Sequence, residues 1–529
     1  MPVNHGALQD YSLTLDKIIG HAARWHGAKQ VVTAGNGGAD RGTGYGELHQ
    51  RARQVSAELA SYGVAAGECV ATLAWNTEDH MACWYGIMGM GAVCHTLNPR
   101  LAGDALAAML RQSEARILIA SADQLDLVGR IAAEGTALET VFVIDEMDAS
   151  TPPDMLGLAV ARFGESASDQ EASWGRFDEN QPCGLCFTSG TTGSPKGVTY
   201  THRGNFLHTL RQLQGDVSGI TERDIVLPAV PMFHANAWGL PFSCPAAGAT
   251  LLLPGRHTDG ASLARLIVEY GVTIAAGVPT VWLDLFDHLD REGIEVPSLR
   301  RIMGGGAPMP DALQRRITAR GIEVQQTWGM TEISPLGTAM RPGCADHSAR
   351  TSGVPALGLD LLLTGHDGQP LAAQREGEGR LHVRGPSVVE RYFGQDQSAT
   401  LDGWFDTGDL ATIDRAGNLR ITGRTKDLIK SGGEWVNPVE IESVVGALAQ
   451  VSKVAVIARA HPRWGERPVM VVELAEEDSI SDDELLEPIR DRFAKWWVPD
   501  AIIRVNSIPL AATGKIDKRQ LQQRYGARA

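Results

Sequence analysis

An α/β fold in two unequal domains is what this sequence predicts, and three observations carry the prediction. At 529 residues the chain is longer than one hydrophobic core of roughly 250–300 residues can serve. Its first part alternates helical and strand periodicity, the pattern of a sheet with helices on its faces. Beyond Gly423 the texture changes to short strands joined by tight turns. The expected division is a large N-terminal domain of α/β subdomains, residues 1–425, and a small α+β C-terminal domain, residues 426–529.

The elements follow in order. Leu48, Ala52, Val55 and Leu59 recur at helical spacing, and Gly63 is placed to end that helix. The apolar run Val70 to Trp75 reads as a strand, followed by a helical stretch through Gly91. Ile117 to Ala120 and Val141 to Ile144 are short apolar strands separated by a helix. Ser150 to Pro182, rich in Pro, Ser, Gly and acids, reads as a connection between subdomains. Asp414-Arg415-Ala416-Gly417 and Ser431-Gly432-Gly433-Glu434 read as hairpin turns. Ser481 with Glu484 forms a capping-box pattern, which Pro488 weakens or kinks. Trp496-Trp497 is expected to pack the C-terminal domain.

Composition excludes several classes. With 48 basic and 63 acidic residues the formal charge is -15, which argues against nucleic-acid or anionic-membrane binding. No apolar run reaches the eighteen or so residues that span a bilayer, and the N-terminus lacks a signal-peptide pattern. Seven cysteines suit free thiols in a reducing cytoplasm, the expected location. Cys183 and Cys186 make a single C-x-x-C with no second pair, so zinc is not expected.

The strongest chemical signal is Thr188-Ser189-Gly190-Thr191-Thr192-Gly193-Ser194-Pro195-Lys196-Gly197, directly behind an apolar strand. Small residues let successive N–H groups turn toward one anion, and hydroxyls and a lysine add donors, so the loop suits a polyphosphate. It is not a Walker loop, because Pro195 stands where the second glycine should precede the lysine.

This loop resembles the phosphate loop of the adenylate-forming superfamily: acyl-CoA synthetases, luciferases and peptide-synthetase adenylation domains. Further motifs follow in that family's order across nearly the whole chain. Pro231-Met232-Phe233-His234-Ala235-Asn236-Ala237-Trp238-Gly239 resembles the acyl-pocket segment. Gly304-Gly305-Gly306-Ala307-Pro308 and Thr327-Trp328-Gly329-Met330-Thr331-Glu332 resemble the nucleotide-site motifs. Gly403 to Asp409 resembles the ribose motif, Gly423-Arg424-Thr425-Lys426-Asp427 the hinge, and Pro509 to Ile516 the C-terminal lysine loop.

The resemblance implies roles. Thr188, Ser189, Gly190, Thr191, Thr192, Gly193 and Lys196 would cradle phosphates, and Glu332 would hold Mg²⁺, a hard ion suited to oxygen. Gly305, Gly306, Ala307, Pro308, Thr327, Gly329, Met330 and Thr331 would line the nucleotide, with Trp328 stacking on adenine. Asp409 would accept the ribose hydroxyls and Arg424 would reach ribose or phosphate. Lys515 would neutralise charge as a carboxylate attacks the α-phosphate, with Thr188 and Glu332 also in the catalytic set. His234 would position the carboxylate, Trp238 would gate the tail, and Gly304 and Gly329 would border the acid. Lys426 would be the pivot of a mobile C-terminal domain, bringing Gly432, Gly433 and Glu434 to the pantetheine. Taken alone, each of these residues also has an ordinary structural role: a packed tryptophan, a turn aspartate, a solvated lysine. Amino-acid-activating relatives carry an aspartate where His234 stands, so an ammonium-bearing substrate would be left unpaired.

The implied activity is that of an AMP-forming acyl-CoA synthetase working with ATP, Mg²⁺ and CoA through an acyl-adenylate. Short- to medium-chain fatty acids are the expected substrates. The segments around Val70 to Leu101 and Val230 to Pro241 resemble bacterial medium-chain fatty-acyl-CoA synthetases and methylmercaptopropionate-CoA ligases. Methylmercaptopropionate and acyl loading of a carrier protein are the alternatives, and a homodimer is left open.

Overall fold

The structure is a computed structural model that describes residues 8–35, 39–145, 154–155, 157–163, 172–188, 195–344, 351–365, 367–475, 480–511 and 514–526. Two large sheets dominate it. One has nine strands, running in space from Val354–Pro355 through Leu336–Ala339, Glu323–Gly329, Arg301–Gly304, Ile274–Gly277, Ile225–Pro228, Thr250–Leu253 and Gln30–Thr33 to Arg41–Gly44. Its six central strands are parallel and its margins antiparallel. The other has eight strands, with Gly197–Thr201 and Pro182–Phe187 at one edge.

The helix Glu78–Gly89 touches strands of both sheets and is buried at every residue, so its all-round apolar character is what the position requires. Gly86 lets it approach the helix Tyr45–Ser61 closely: a Cβ there would lie 2.6 Å from Val55 Cγ1. Leu48, Ala52, Val55 and Leu59 are all buried on that second helix, and Gly63 follows its end at φ +78°. Thr77 caps the buried helix through His80 N–H at 3.2 Å. At the same end Glu78 and Asp79 pair with Arg41, and Asp79 also with Arg51.

The expected strands form at Cys69–Leu73, Ile117–Ala120 and Thr140–Val143. The stretch read as a bare connection between Ser150 and Pro182 is corrected. It holds the strand Leu158–Arg162, parallel to Thr140–Val143. Only Leu158 of that strand is buried, so it is a marginal strand whose apolar pattern is too weak to register.

A third, antiparallel sheet carries Trp404–Ile413 between Glu378–Arg384 and Leu419–Arg424, and the expected turn Asp414–Gly417 joins it to the latter. The chain then passes through a short 3₁₀ turn, Thr425–Asp427, into a C-terminal sheet. That sheet builds its own core with the helices Pro438–Val445 and Asp482–Arg492, around Ile429, Val436, Ile441, Met470, Leu485 and Ile489. Ser431–Glu434 is the hairpin turn expected, with Gly432 and Gly433 at φ +63° and +95°. Trp497 stacks on Phe493 at 4.8 Å, but Trp496 is 43% exposed, so only one of the paired tryptophans packs the domain.

The helix Asp482–Arg492 runs through Pro488 and begins in a complete capping box: Ser481 Oγ accepts from Glu484 N–H, and Ser481 N–H donates to the Glu484 carboxylate at 2.8 Å. Ser481→Ala should therefore lower the stability of this domain by about 1 kcal/mol. Chemical denaturation followed by tryptophan fluorescence measures it; an unchanged midpoint would mean the cap contributes nothing.

Candidate active site

The carboxyl ends of parallel strands in both sheets converge, the usual place for a ligand site in such sheets. Gly305 and Gly306 follow Arg301–Gly304, Val278 follows Ile274–Gly277, Met330 follows Glu323–Gly329, and Thr188 follows Pro182–Phe187. Thr188 and Lys196 close the base of the glycine-rich loop, Thr188 N–H donating to Lys196 O at 2.9 Å. Ser189, Gly190, Thr191, Thr192 and Gly193, predicted on the loop itself, lie outside the described residues.

Glu332 stands opposite that base. Its carboxylate accepts from Tyr392 Oη at 3.2 Å, and Lys196 Nζ lies 4.8 Å over the Tyr392 ring. Burial raises the Glu332 pKa, with the Tyr392 hydrogen bond and the charges of Arg424 and Lys196 pulling it back. Among the described residues this buried carboxylate has no salt-bridge partner. No group of three or more His, Cys, Asp or Glu side chains there could cage a metal. The donor set thus fits Mg²⁺ held by one carboxylate, with phosphate and water completing its shell. It does not fit zinc: Cys183 and Cys186 are buried, with thiols that burial pushes up.

A second carboxylate anchors the other side. Asp409, 3% exposed, accepts from Trp328 Nε1 at 2.9 Å and pairs with Arg424 Nε at 3.0 Å. Burial raises its pKa, while Arg424, Trp328 and Lys515 each favour the charged form. Trp328 is itself 8% exposed, with one edge packed on Gly337, where a Cβ would lie 2.4 Å from the ring. Its indole nitrogen is thus committed to orienting Asp409. Gly329 cannot carry a side chain, since a Cβ would fall 1.7 Å from Pro335 O. Thr327 Oγ1 donates to Gly304 O at 3.1 Å and ties the two glycine-bearing loops together.

Lys515 enters from the C-terminal part of the chain. A Cβ on Gly306 would lie 3.2 Å from Lys515 Cε and 3.7 Å from its Nζ. Thr280 Oγ1 donates to Gly514 O at 2.9 Å, and Ala511 N–H donates to Lys515 O at 2.7 Å, pinning the loop at both ends. Burial lowers the Lys515 pKa to about 8, Arg424 adding to the effect and Asp409 and Glu332 opposing it. His234 is brought down to about 4 by burial and then by the Lys515 charge, so its imidazole is neutral near pH 7.

Ala235 to Gly239 all have positive φ, from +44° to +76°. A left-handed turn with four non-glycine residues costs roughly 1–2 kcal/mol at each. At its end the Trp238 ring reaches Gly305, where a Cβ would lie 3.1 Å from Cη2.

The structure therefore brings together Thr188, Lys196, His234, Trp238, Gly304 to Gly306, Thr327 to Glu332, Asp409, Arg424 and Lys515. Ala307 and Pro308 continue the glycine loop. Gly433 and Lys426 instead line a separate exposed groove of about 600 Å³ with Lys430, Trp435 and Trp464; Gly432 packs on Trp464, and Glu434 is exposed beside it. Sequence reasoning missed Tyr392 and Thr280. Neither lies in a quoted motif, and each meets its partner across a long stretch of chain, 60 residues for Tyr392 and 234 for Thr280.

The chain belongs to the AMP-binding enzyme family, which it matches over residues 20–393, with the AMP-binding enzyme C-terminal domain matched over residues 440–515. Among relatives, the 3-methylmercaptopropionyl-CoA ligase of Ruegeria lacuscaerulensis is 39% identical, the match covering 98% of each chain. The medium-chain-fatty-acid–CoA ligase of Ectopseudomonas oleovorans is 38% identical over 98% of this chain and 97% of its own. The anthranilate CoA ligase AuaEII, solved with anthranoyl-AMP, superposes with a TM-score of 0.85 at 25% identity over 98% of each chain. Among the described residues no helix is long and apolar enough to cross a membrane.

Tyr392→Phe removes a donor to ionised Glu332, so the Glu332 pKa should rise further. ATP-dependent turnover in Mg²⁺ should then lose its acid limb at higher pH than in the wild type. Superimposable pH–rate profiles would show that Tyr392 does not act on Glu332.

Proposed function

We propose that the protein is an AMP-forming acyl-CoA ligase that converts a short- to medium-chain carboxylic acid, ATP and CoA into acyl-CoA, AMP and diphosphate. The observation that carries this reading is the burial of Lys515 against Gly306, where it feels the charges of the Asp409 and Glu332 carboxylates. A lysine from the end of the chain has no structural need to enter a buried site at the cost of a lowered pKa. It makes sense where negative charge develops.

In this reading Asp409, held by Trp328 and Arg424, accepts the ribose hydroxyls. Thr188 and Lys196 border the phosphates, and Glu332 would hold Mg²⁺, which supplies charge neutralisation at the phosphates when bound. Neutral His234 orients the acid without competing for its negative charge. The carboxylate oxygen attacks the α-phosphorus, diphosphate leaves, and Lys515 stabilises the charge gathered on the α-phosphoryl oxygens. Most of the acceleration comes from holding acid and nucleotide in line. The CoA thiol then attacks the acyl carbon and AMP departs.

The second step needs the Gly432–Glu434 turn, which here faces outward. Residues 1–425 and 426–529 are read as the two domains, with Lys426 as the pivot exchanging the lysine loop for that turn. Methylmercaptopropionate is the second substrate candidate, favoured by the name of the 39% identical relative. Seven free cysteines are in keeping with the cytoplasm. A homodimer remains a reading to test by light scattering.

Lys515→Ala should slow acyl-adenylate formation on the order of 10²–10³-fold while sparing thioester formation from supplied acyl-AMP. The wild-type adenylation rate should also fall as pH rises through about 8, because Lys515 loses its proton there, and the variant should lack this limb. Diphosphate release against pH reads both; a wild-type rate in the variant would make Lys515 a bystander.

Lys426→Pro fixes φ at the pivot and restricts Thr425 before it. Acyl-AMP formation should persist and most thioester formation should be lost, with little change in Tm. Equal loss of both half-reactions in a folded variant would reject the pivot.

A further inference from the structure

The loop that carries Lys515 keeps its shape by bonds within itself. Ala511 N–H donates to Lys515 O at 2.7 Å, Gly514 N–H to Ala511 O at 2.8 Å and Asp517 N–H to Pro509 O at 2.9 Å. Behind the loop, Lys518 Nζ reaches the Glu442 carboxylate at 2.6 Å and so anchors it to the helix Pro438–Val445. None of these bonds decides where the loop sits against the rest of the site. That contact is made by the segment joining the strand Ile274–Gly277 to the helix Pro279–Glu292. Val278 touches both partners: a Cβ on Gly306 would lie 3.3 Å from its Cγ1, and a Cβ on Gly514 would lie 3.2 Å from its Cγ2. Gly514, at φ +80°, has no side chain, which lets the loop close on Val278 and Thr280. Thr280 Oγ1 then donates to Gly514 O at 2.9 Å. Among the described residues this is the hydrogen bond that joins the loop to the chain before Thr425.

A helical threonine ordinarily turns its hydroxyl back on a carbonyl three or four residues earlier. Thr280 stands in the first turn of its helix, and the carbonyl of Ala276 is already taken by Ala229 N–H at 2.8 Å. Nor does Thr280 cap the helix, whose N-cap is Val278 and makes no side-chain cap bond. Its hydroxyl turns outward instead, to a carbonyl 234 residues along the chain. The effect on Lys515 is direct. The Gly514 C=O and the Lys515 N–H belong to one planar peptide unit, so holding that oxygen sets the plane from which the lysine side chain departs.

We infer that Thr280 is a positioning residue for acyl-adenylate formation: its hydroxyl latches the Gly514 carbonyl and so holds Lys515 at the Gly306 loop, and the latch opens when the Gly432–Glu434 turn takes the loop's place. The inference rests on the acyl-CoA ligase reading and adds to it the contact that sets how much of the enzyme is poised to adenylate.

Thr280→Val keeps the branched shape and removes the donor. Loss of one such hydrogen bond shifts the docking equilibrium about 3- to 10-fold. Docked, Lys515 meets the charges of Arg424, Asp409 and Glu332 and lies near His234, and it titrates at about 8. Undocked, it returns to water and toward the ordinary lysine value. The active form is docked and protonated, so undocking lowers the plateau rate and raises the apparent pKa by the same factor. The measurement is kcat/KM for diphosphate release against pH, which reports the free enzyme, beside thioester formation from supplied acyl-AMP and CoA. In Thr280→Val the plateau should fall about 3- to 10-fold and the alkaline limb should move up by about half to one pH unit. Thioester formation should be held or faster. Thr280→Ser, which keeps the donor, should restore both. A lowered plateau with a fixed limb, or an equal loss in both half-reactions, would overturn the latch. So would a serine variant that behaves like the valine one, or a valine variant that matches the wild type. In each of those cases acids are still activated. Absence of diphosphate release from the wild type with any acid overturns the ligase reading, and the latch with it.

Discussion

The buried carboxylate of Asp409 is the interaction on which the site's geometry turns. A carboxylate 3% exposed is stable in its charged form only if the chain surrounds it with donors and positive charge. Three separate segments do so. Trp328 from the nine-stranded sheet donates its indole N–H, Arg424 from the neighbouring antiparallel strand supplies a guanidinium, and Lys515 from the C-terminal loop adds its ammonium charge. Removing any one leaves a charge buried with fewer partners, so the three segments are held in mutual register by electrostatics as well as by packing. Lys515 pays the converse penalty: its own pKa falls to about 8 because it too is taken out of water.

Glu332 is the complementary case. It is buried with a hydroxyl partner in Tyr392 and cations nearby, yet without a salt bridge among the described residues. Asp409 has a protein donor on each oxygen, one of them a cation, whereas among the described residues Glu332 has one side-chain donor, the Tyr392 hydroxyl, on one oxygen. The contrast separates a carboxylate that organises the site from one fitted to a cation brought with a ligand. The turn Ala235–Gly239 shows the same economy in the backbone. Its strained torsions are tolerated because the turn is wedged between the Gly305 loop and the helix His202–Gln212.

Much of the fold was legible in the chain. The buried stripe Leu48, Ala52, Val55 and Leu59, the apolar strands Ile117–Ala120 and Cys69–Leu73, the turns at Asp414 and Ser431 and the capping box at Ser481 all rest on local periodicity or local hydrogen bonding. The strand Leu158–Arg162 was not legible. It forms because the partner strand Thr140–Val143 offers its edge, and its own sequence buries one residue. Trp496 and Trp497 look alike in sequence, and only the orientation of the short turn that bears them decides which stacks on Phe493.

By itself the sequence determined the α/β character and the two-part organisation, because those depend on periodicities within a few residues, and its ordered motifs carried the resemblance to a carboxylate-activating family. It could not determine that Trp328 spends its nitrogen on Asp409, that Tyr392 serves Glu332, or that Thr280 pins the lysine loop. Those facts depend on which distant segments the sheets carry to one place, and on what burial then does to each charge. Only the tertiary structure decides that, since a hydrogen bond or a desolvated charge is a property of a position in space and not of a position in the chain.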